Sequence, residues 1–268
     1  MNKINTIIKY TFLSLISFVS IFPFIWMIIG ATNTSTEITK GQIFPGSELI
    51  NNFRKLLEMV DLPQVLWNSG KIAILTTLLS LLIASMAGYG FELYRHKTRE
   101  KIYQFMLLTM MVPFAALMIP LFRIFAKANM LDSHWAVIIP AIASIFVIFF
   151  FRQNTKSFPI ELVQAARVDG LNEFQIFFLI YMPTMKSTYA AASIIVFMGA
   201  WNNFLWPLII LQSQGKKTIT LVISSLSSAY FPDFGVIMVA IIIATLPTVL
   251  LFFIMQRRFV EGMIGSIK

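Results

Sequence analysis

Residues 157–183 read SFPIELVQAARVDGLNEFQIFFLIYMP, and the fold turns on how this stretch is taken. Pro159 suits the first turn of a helix, and Glu161 favours the positive end of the helix dipole. A helix is predicted to about Val168, followed by a turn at Asp169-Gly170. Asn172 and Gln175 have the spacing of a capping box for a second short helix. Pro183 ends that helix, because it lacks the N–H a helix interior needs. The expected shape is two short helices at a bend, joined to the neighbouring chain by a stiff corner. Ala165 and Ala166 present little bulk, so another surface can approach closely. Phe174, Phe177 and Phe178 supply an apolar face. Spacing alone leaves two readings: an amphipathic hairpin resting on lipid headgroups, or a docking element for another protein.

On both sides of this stretch the chain is strongly apolar. Hydrophobic residues make up 57% of the 268 and charged residues only 12%, with a mean hydropathy of +0.78. Soluble domains average about 45–50% apolar and about 25% charged, so lipid is the expected solvent. Six spans are predicted: Tyr10–Ala31, Ile72–Phe91, Tyr103–Phe125, Trp135–Phe151, Thr184–Leu211 and Val236–Met255. The first is longer than a signal-peptide core and precedes no small-x-small cleavage site, so it is read as a retained span. The third is interrupted by Pro113 and Pro120. Residues 32–70 read as an external loop in which Asn51–Met59 forms a short surface helix. The expected organisation is residues 1–67 as first span plus external loop, 68–256 as the transport domain, and 257–268 as a basic tail.

The net charge of +9 does not point to nucleic acid, because the cations flank apolar spans. With six spans, both termini share a side with residues 92–102 and 152–186. That side holds 13 of the 21 lysines and arginines: Lys3, Lys9, Arg95, Lys97, Arg99, Lys101, Arg152, Lys156, Arg167, Lys186, Arg257, Arg258 and Lys268. The positive-inside rule therefore places the termini and the 157–183 segment in the cytoplasm.

Several function classes lose support. No carboxylate falls inside the spans as drawn, with Glu92 at the inner end of the second, and both histidines, His96 and His134, lie in loops. Ion-driven carriers usually hold such groups at membrane depth. No catalytic triad or metal-spaced cluster appears, and the absence of cysteine rules out disulfides and thiolate sites. No Gly-rich loop ending in Gly-Lys-Ser/Thr is present to cradle a nucleotide. If ATP drives this protein, another chain binds it.

The 157–183 stretch resembles the coupling loop of ABC importer permeases, whose pattern is E-A-A-x3-G-x9-I-x-L-P. Gln164-Ala165-Ala166 precede Gly170, nine residues separate Gly170 from Ile180, and Pro183 closes the pattern. Gln164 stands where the pattern has Glu, with Glu161 one turn earlier as a substitute charge, and Met182 stands for Leu. Asn68-Ser69, the run Trp201 to Leu208, and Gln256 to Gly262 are similar to the carbohydrate-uptake branch, in particular its MalG-like subunits. The resemblance covers about residue 8 to the C-terminus. It implies an all-α integral membrane protein of six helices, a type I importer permease with a coupling helix between the fourth and fifth spans. Glu161, Gln164, Ala165, Ala166, Asp169, Gly170 and Pro183 would carry the contact with the ATPase. The implied partners are a MalF-like second permease, two ATP-binding subunits holding ATP and magnesium, and an extracytoplasmic solute-binding protein. The chain itself would bind no cofactor and sit in a bacterial inner membrane.

The implied cargo is a di- or oligosaccharide, with glycerol-3-phosphate as the alternative because related permeases carry it. A self-contained secondary transporter or channel, or a scaffold without transport, are the readings from other classes. Asn202 and Asn203 are adjacent amides inside the fifth span, beside Trp201 and Trp206. Buried amides in lipid need partners: a sugar or a neighbouring helix would serve. The tail Gly262–Lys268 is read either as reaching the ATPase interface or as a frayed basic end.

Overall fold

The computed structural model describes residues 3–264, with side chains described for residues 6–256. Helices make up the regular structure, and no strand occurs among the described residues. Five helices are long and apolar enough to cross a membrane: Thr6–Ala31, Leu62–Leu93, His134–Thr155, Lys186–Ile210 and Phe234–Gln256. The sixth expected span is a bent pair, Lys97–Thr109 and Phe114–Lys127, whose axes differ by 103°. Pro113 is the N-cap of the second half-helix, so the bend falls where a missing N–H already interrupts the ladder. Pro120 lies within that half-helix and does not stop it.

Three boundaries differ from those expected. The second span begins at Leu62, so the external loop is shorter than residues 32–70; it also runs to Leu93, taking Glu92 into its last turn. The fourth breaks at Ala143 and Ser144, between His134–Ile142 and Ile145–Thr155. The fifth breaks after Trp201 and resumes at Leu205. The break in the fourth lies within an apolar run that hydropathy reads as continuous, whereas the break in the fifth falls at the polar pair Asn202-Asn203. The last helix continues through Ile264, past the expected start of the tail; the side chains from 257 on and residues 265–268 lie outside the described residues.

The chain divides into two compact units. One combines the chain up to Val65 with Ile219–Pro247. Here the loop after the first span is well tied: a capping box joins Thr34 and Glu37. Asn52 donates to the carbonyls of Ala31 and Asn33, both at 3.0 Å. The expected surface helix is present as Leu49–Met59, with Asn52 and Leu56 buried. Asp233 accepts from Ser35 (2.8 Å) and Lys55 (3.1 Å) and from the backbone amides of Gly235 and Val236, which cap the last helix.

The other unit holds Leu66–Thr218 and the chain from Thr248. Its core brings the second, fourth and fifth spans together through Leu81, Ala84, Val147, Ile148, Phe151, Ala192 and Val196. Gly88 permits the closest approach: a Cβ there would lie 2.8 Å from the backbone nitrogen of Arg152. Arg152, read from sequence as a loop cation, is buried at the end of the fourth span. It donates to Glu92 (3.2 Å) and Glu100 (2.6 Å) and covers the Tyr103 ring at 3.9 Å. A buried charge is tolerated only with such partners.

Candidate functional site

The 157–183 segment folds as its residue chemistry dictates. Pro159 caps a helix over Ile160–Val168, with Glu161 in its first turn. The helix ends in a Schellman arrangement. Gly170 N–H donates to Arg167 O (3.1 Å) and Leu171 N–H to Ala166 O (3.0 Å). Gly170 adopts φ +82°, the left-handed region in which a side chain is strained. The capping box is formed: Gln175 N–H donates to Asn172 Oδ1 and Asn172 N–H to Gln175 Oε1, both at 2.9 Å. The helix Glu173–Ile176 then widens into a π-helical turn over Phe177–Tyr181. Pro183 follows at the start of the short Met182–Thr184 helix, before the fifth span begins at Lys186.

One side of this hairpin is anchored. Val163, Ala166, Ile176, Phe177, Tyr181 and Met185 are buried in one cluster with Tyr89 of the second span and Phe158. Each large apolar side chain so buried contributes about 1.5–3 kcal/mol. Tyr181 and Thr155 share a buried hydrogen bond of 2.7 Å. Two expectations are corrected here. Ala166 is buried against this chain's own core, so its small size serves internal packing. The three phenylalanines do not form one face: Phe177 turns inward, while Phe174 and Phe178 stay exposed. The helical period places Val163 and Ala166 on the same side, three residues apart. Glu161, Gln164, Ala165, Asp169 and Gly170 lie on the exposed surface.

A polar link that sequence reading missed ties this hairpin to the end of the second span. The Tyr94 hydroxyl donates to Glu173 Oε2, Arg167 Nε donates to Glu173 Oε1 (2.8 Å), and Arg167 Nη2 donates to the Tyr94 hydroxyl (3.1 Å). Arg167, and then Tyr94, hold the Glu173 carboxyl below the usual carboxylate range. Nothing local signals this link, since Tyr94 and Glu173 are 79 positions apart.

In the same unit, a cavity of about 380 Å³ opens among the second to fifth spans. Its walls include Thr76, Phe114, Ser144, Asn203 and Trp206. Residues beside all three span breaks line it: Phe114, Ser144 and Asn203. At membrane depth, broken backbone is tolerated where it lines a cavity or is buried in protein. Thr76 Oγ1 is buried and has no hydrogen-bond partner among the described residues. Of the four expected pathway residues, the structure brings two to the cavity, Asn203 and Trp206. The Trp206 indole N–H is already committed to Ala136 O at 2.9 Å, and its buried ring packs against Phe114 and Phe125. Trp201 is buried and stacks on Phe197, and Asn202 is exposed and donates to Met198 O at 2.9 Å. Neither lines the cavity.

An anchored hairpin beside a bundle of broken spans defines a polytopic membrane transport component. The chain belongs to the family described as binding-protein-dependent transport system inner membrane component, whose model matches residues 77–265. It is a permease subunit, not an enzyme. A lactose transport system permease protein, LacG, of Rhizobium radiobacter is 58% identical, over 99% of this chain and 97% of that one. An arabinooligosaccharides permease, AraQ, of Halalkalibacterium halodurans is 35% identical over 94% and 93%. A glycerol-3-phosphate permease, UgpE, of Brucella abortus is more distant, 28% identical over 99% and 98%. A crystallised bacterial ABC transporter for alginate import has a chain of the same fold, with TM-score 0.84, 19% identity and coverage of 96% and 97%.

Proposed function

We propose that this chain is the permease through which a neutral di- or oligosaccharide enters the cell, and that Ile160–Val168 receives the motion of ATP-hydrolysing partners in the cytoplasm. The observation that carries the coupling role is the hairpin's asymmetry. One side is locked to the core and the other offers Glu161, Gln164 and Ala165 to a partner. With Gln164 in place of a carboxylate, Glu161 and Asp169, four positions either side of Ala165, are the carboxylates this face offers. The cavity is the sugar pathway: aromatic walls suit sugar rings, while Thr76 and Asn203 are hydroxyl-pairing groups. Among the described residues its lining holds no lysine or arginine, which favours a neutral cargo over a phosphate ester. The chain works with a second, unlike permease, two ATP-binding subunits that hold ATP and magnesium, and an extracytoplasmic sugar-binding protein. Both termini and the hairpin lie on the cytoplasmic side, in keeping with the excess of lysine and arginine there.

The chain contains no cysteine, so a single cysteine at Asp169 is a clean probe. An impermeant maleimide is expected to label it in inverted vesicles alone; labelling in right-side-out cells overturns the coupling role. Gly170→Pro removes the N–H that bonds Arg167 and forbids the positive φ. It is expected to reduce sugar uptake by at least about tenfold, with the protein still in the membrane. Normal uptake would refute the reading.

A further inference from the structure

From the Tyr94–Glu173–Arg167 geometry we infer that these residues form a positioning latch, which makes the second span follow the hairpin as the importer cycles. The inference rests on the coupling role proposed above. The hairpin is covalently continuous with the fourth and fifth spans only, so the second span can track its movement solely through non-covalent contacts. Two kinds are present. The Tyr89 ring sits among Phe177 and Tyr181, at 5.5 and 4.8 Å between centroids. Such ring contacts are non-directional and permit sliding, and the Tyr89 hydroxyl adds one long hydrogen bond to Glu173 Oε2 at 3.5 Å, part of the same link. The hydrogen bonds of Tyr94 to Glu173 and Arg167 are directional and both involve charged groups, so they fix register. Glu173 opens the second helix of the hairpin and Arg167 lies in the last turn of the first, so the latch grips both arms. Arg99 reinforces the Tyr94 end, donating to its carbonyl at 2.7 Å and lying over its ring.

What the latch moves is the cavity wall. Leu62–Leu93 is one continuous helix. Thr76 lies eighteen positions before Tyr94, about 27 Å along the axis. Because the helix is stiff on this scale, a shift imposed at Tyr94 reaches Thr76. With the latch open, the second span would follow the hairpin only through its packing and the Glu92–Arg152 pair with the fourth span, and less of each ATP-driven movement would reach the cavity.

The test uses the whole importer, permease pair with ATPase and sugar-binding protein, in proteoliposomes. Sugar moved per ATP hydrolysed is the readout, with assembly checked by co-purification. Glu173→Gln and Tyr94→Phe are each expected to lower that ratio by about fivefold or more. The double variant should be no worse than either single, since both break one link. The exchange Arg167→Glu with Glu173→Arg should recover much of the ratio that either exchange alone loses. An unchanged ratio in Tyr94→Phe, or additive small losses, overturns the latch, as does failure of both variants to assemble, which would make the contact structural. Gly170→Pro separates the two ideas. If it transports normally, the coupling role itself fails; if it is inactive while Glu173→Gln keeps its ratio, only the latch fails.

Discussion

Single residues in this chain acquire their roles from what surrounds them. Asp132 illustrates this outside the spans. It adopts φ 56° and accepts from the amides of Gln212 and Ser213, both at 3.0 Å, from the Ser213 hydroxyl, and from Lys216 at 3.3 Å. Burial disfavours its charge, but the Ser213 hydroxyl and amide, the Gln212 amide and Lys216 outweigh it and bring its pKa down to about 2. A depressed carboxylate pKa adds stability above the unfolded value of about 3.9, which is lost as pH falls through the folded value. Amide exchange at Gln212 and Ser213 is therefore expected to stay protected from pH 7 to about 4, with protection lost toward pH 2. Asp132→Asn should raise exchange there at pH 7 by about tenfold. Equal protection in both proteins would show that the carboxylate does not hold the loop. Residue identity alone was a poor guide in other places. Ala166 is a small residue turned inward, and Arg152 is a cation paired at a buried helix end, because packing selects orientation among faces a local pattern leaves equivalent.

At the scale of elements, the features that serve function are interruptions. The Schellman turn at Gly170 and the capping box at Asn172 were legible because both are local chemistry within a few residues. The break at Ala143-Ser144 was not, because an apolar run reads the same whether its backbone is continuous or split; the break after Trp201 falls at Asn202-Asn203, between Gly199 and Pro207, residues able to bend a helix. Helix contacts were equally hidden. Gly88 faces the fourth span at Phe151 and Arg152, whereas Gly90, two positions on, has open space for a Cβ. Gly88→Ala is expected to cost about 1–3 kcal/mol, because the atom it would strike is backbone. Gly90→Ala should be close to neutral. Thermal midpoints of the two variants in detergent check this, and equal midpoints would mean the spans part easily at Gly88.

At the scale of the whole molecule, the chain is built for an assembly. Its first span, Thr6–Ala31, has none of its most apolar window buried within the chain. That surface must meet lipid or another subunit. The described residues hold no cluster of three or more His, Cys, Asp or Glu able to bind a metal ion. The expected outcome is that the purified chain in liposomes neither takes up sugar nor hydrolyses ATP. Both activities should appear when the second permease, ATPase and binding protein are added. Uptake by the chain alone would return the secondary-transporter reading.

Local patterns along the chain are enough to establish a membrane protein of apolar helices and the short motif that makes its hairpin. Hydropathy, caps and turns act over a few neighbouring residues, so they can be read in order along the chain. That Ala166 faces inward, that three broken spans surround a cavity, and that Tyr94 meets Glu173 emerge from the folded packing. Those outcomes depend on packing between distant segments, where the free energy of a contact belongs to the pair and to neither residue's own stretch of sequence.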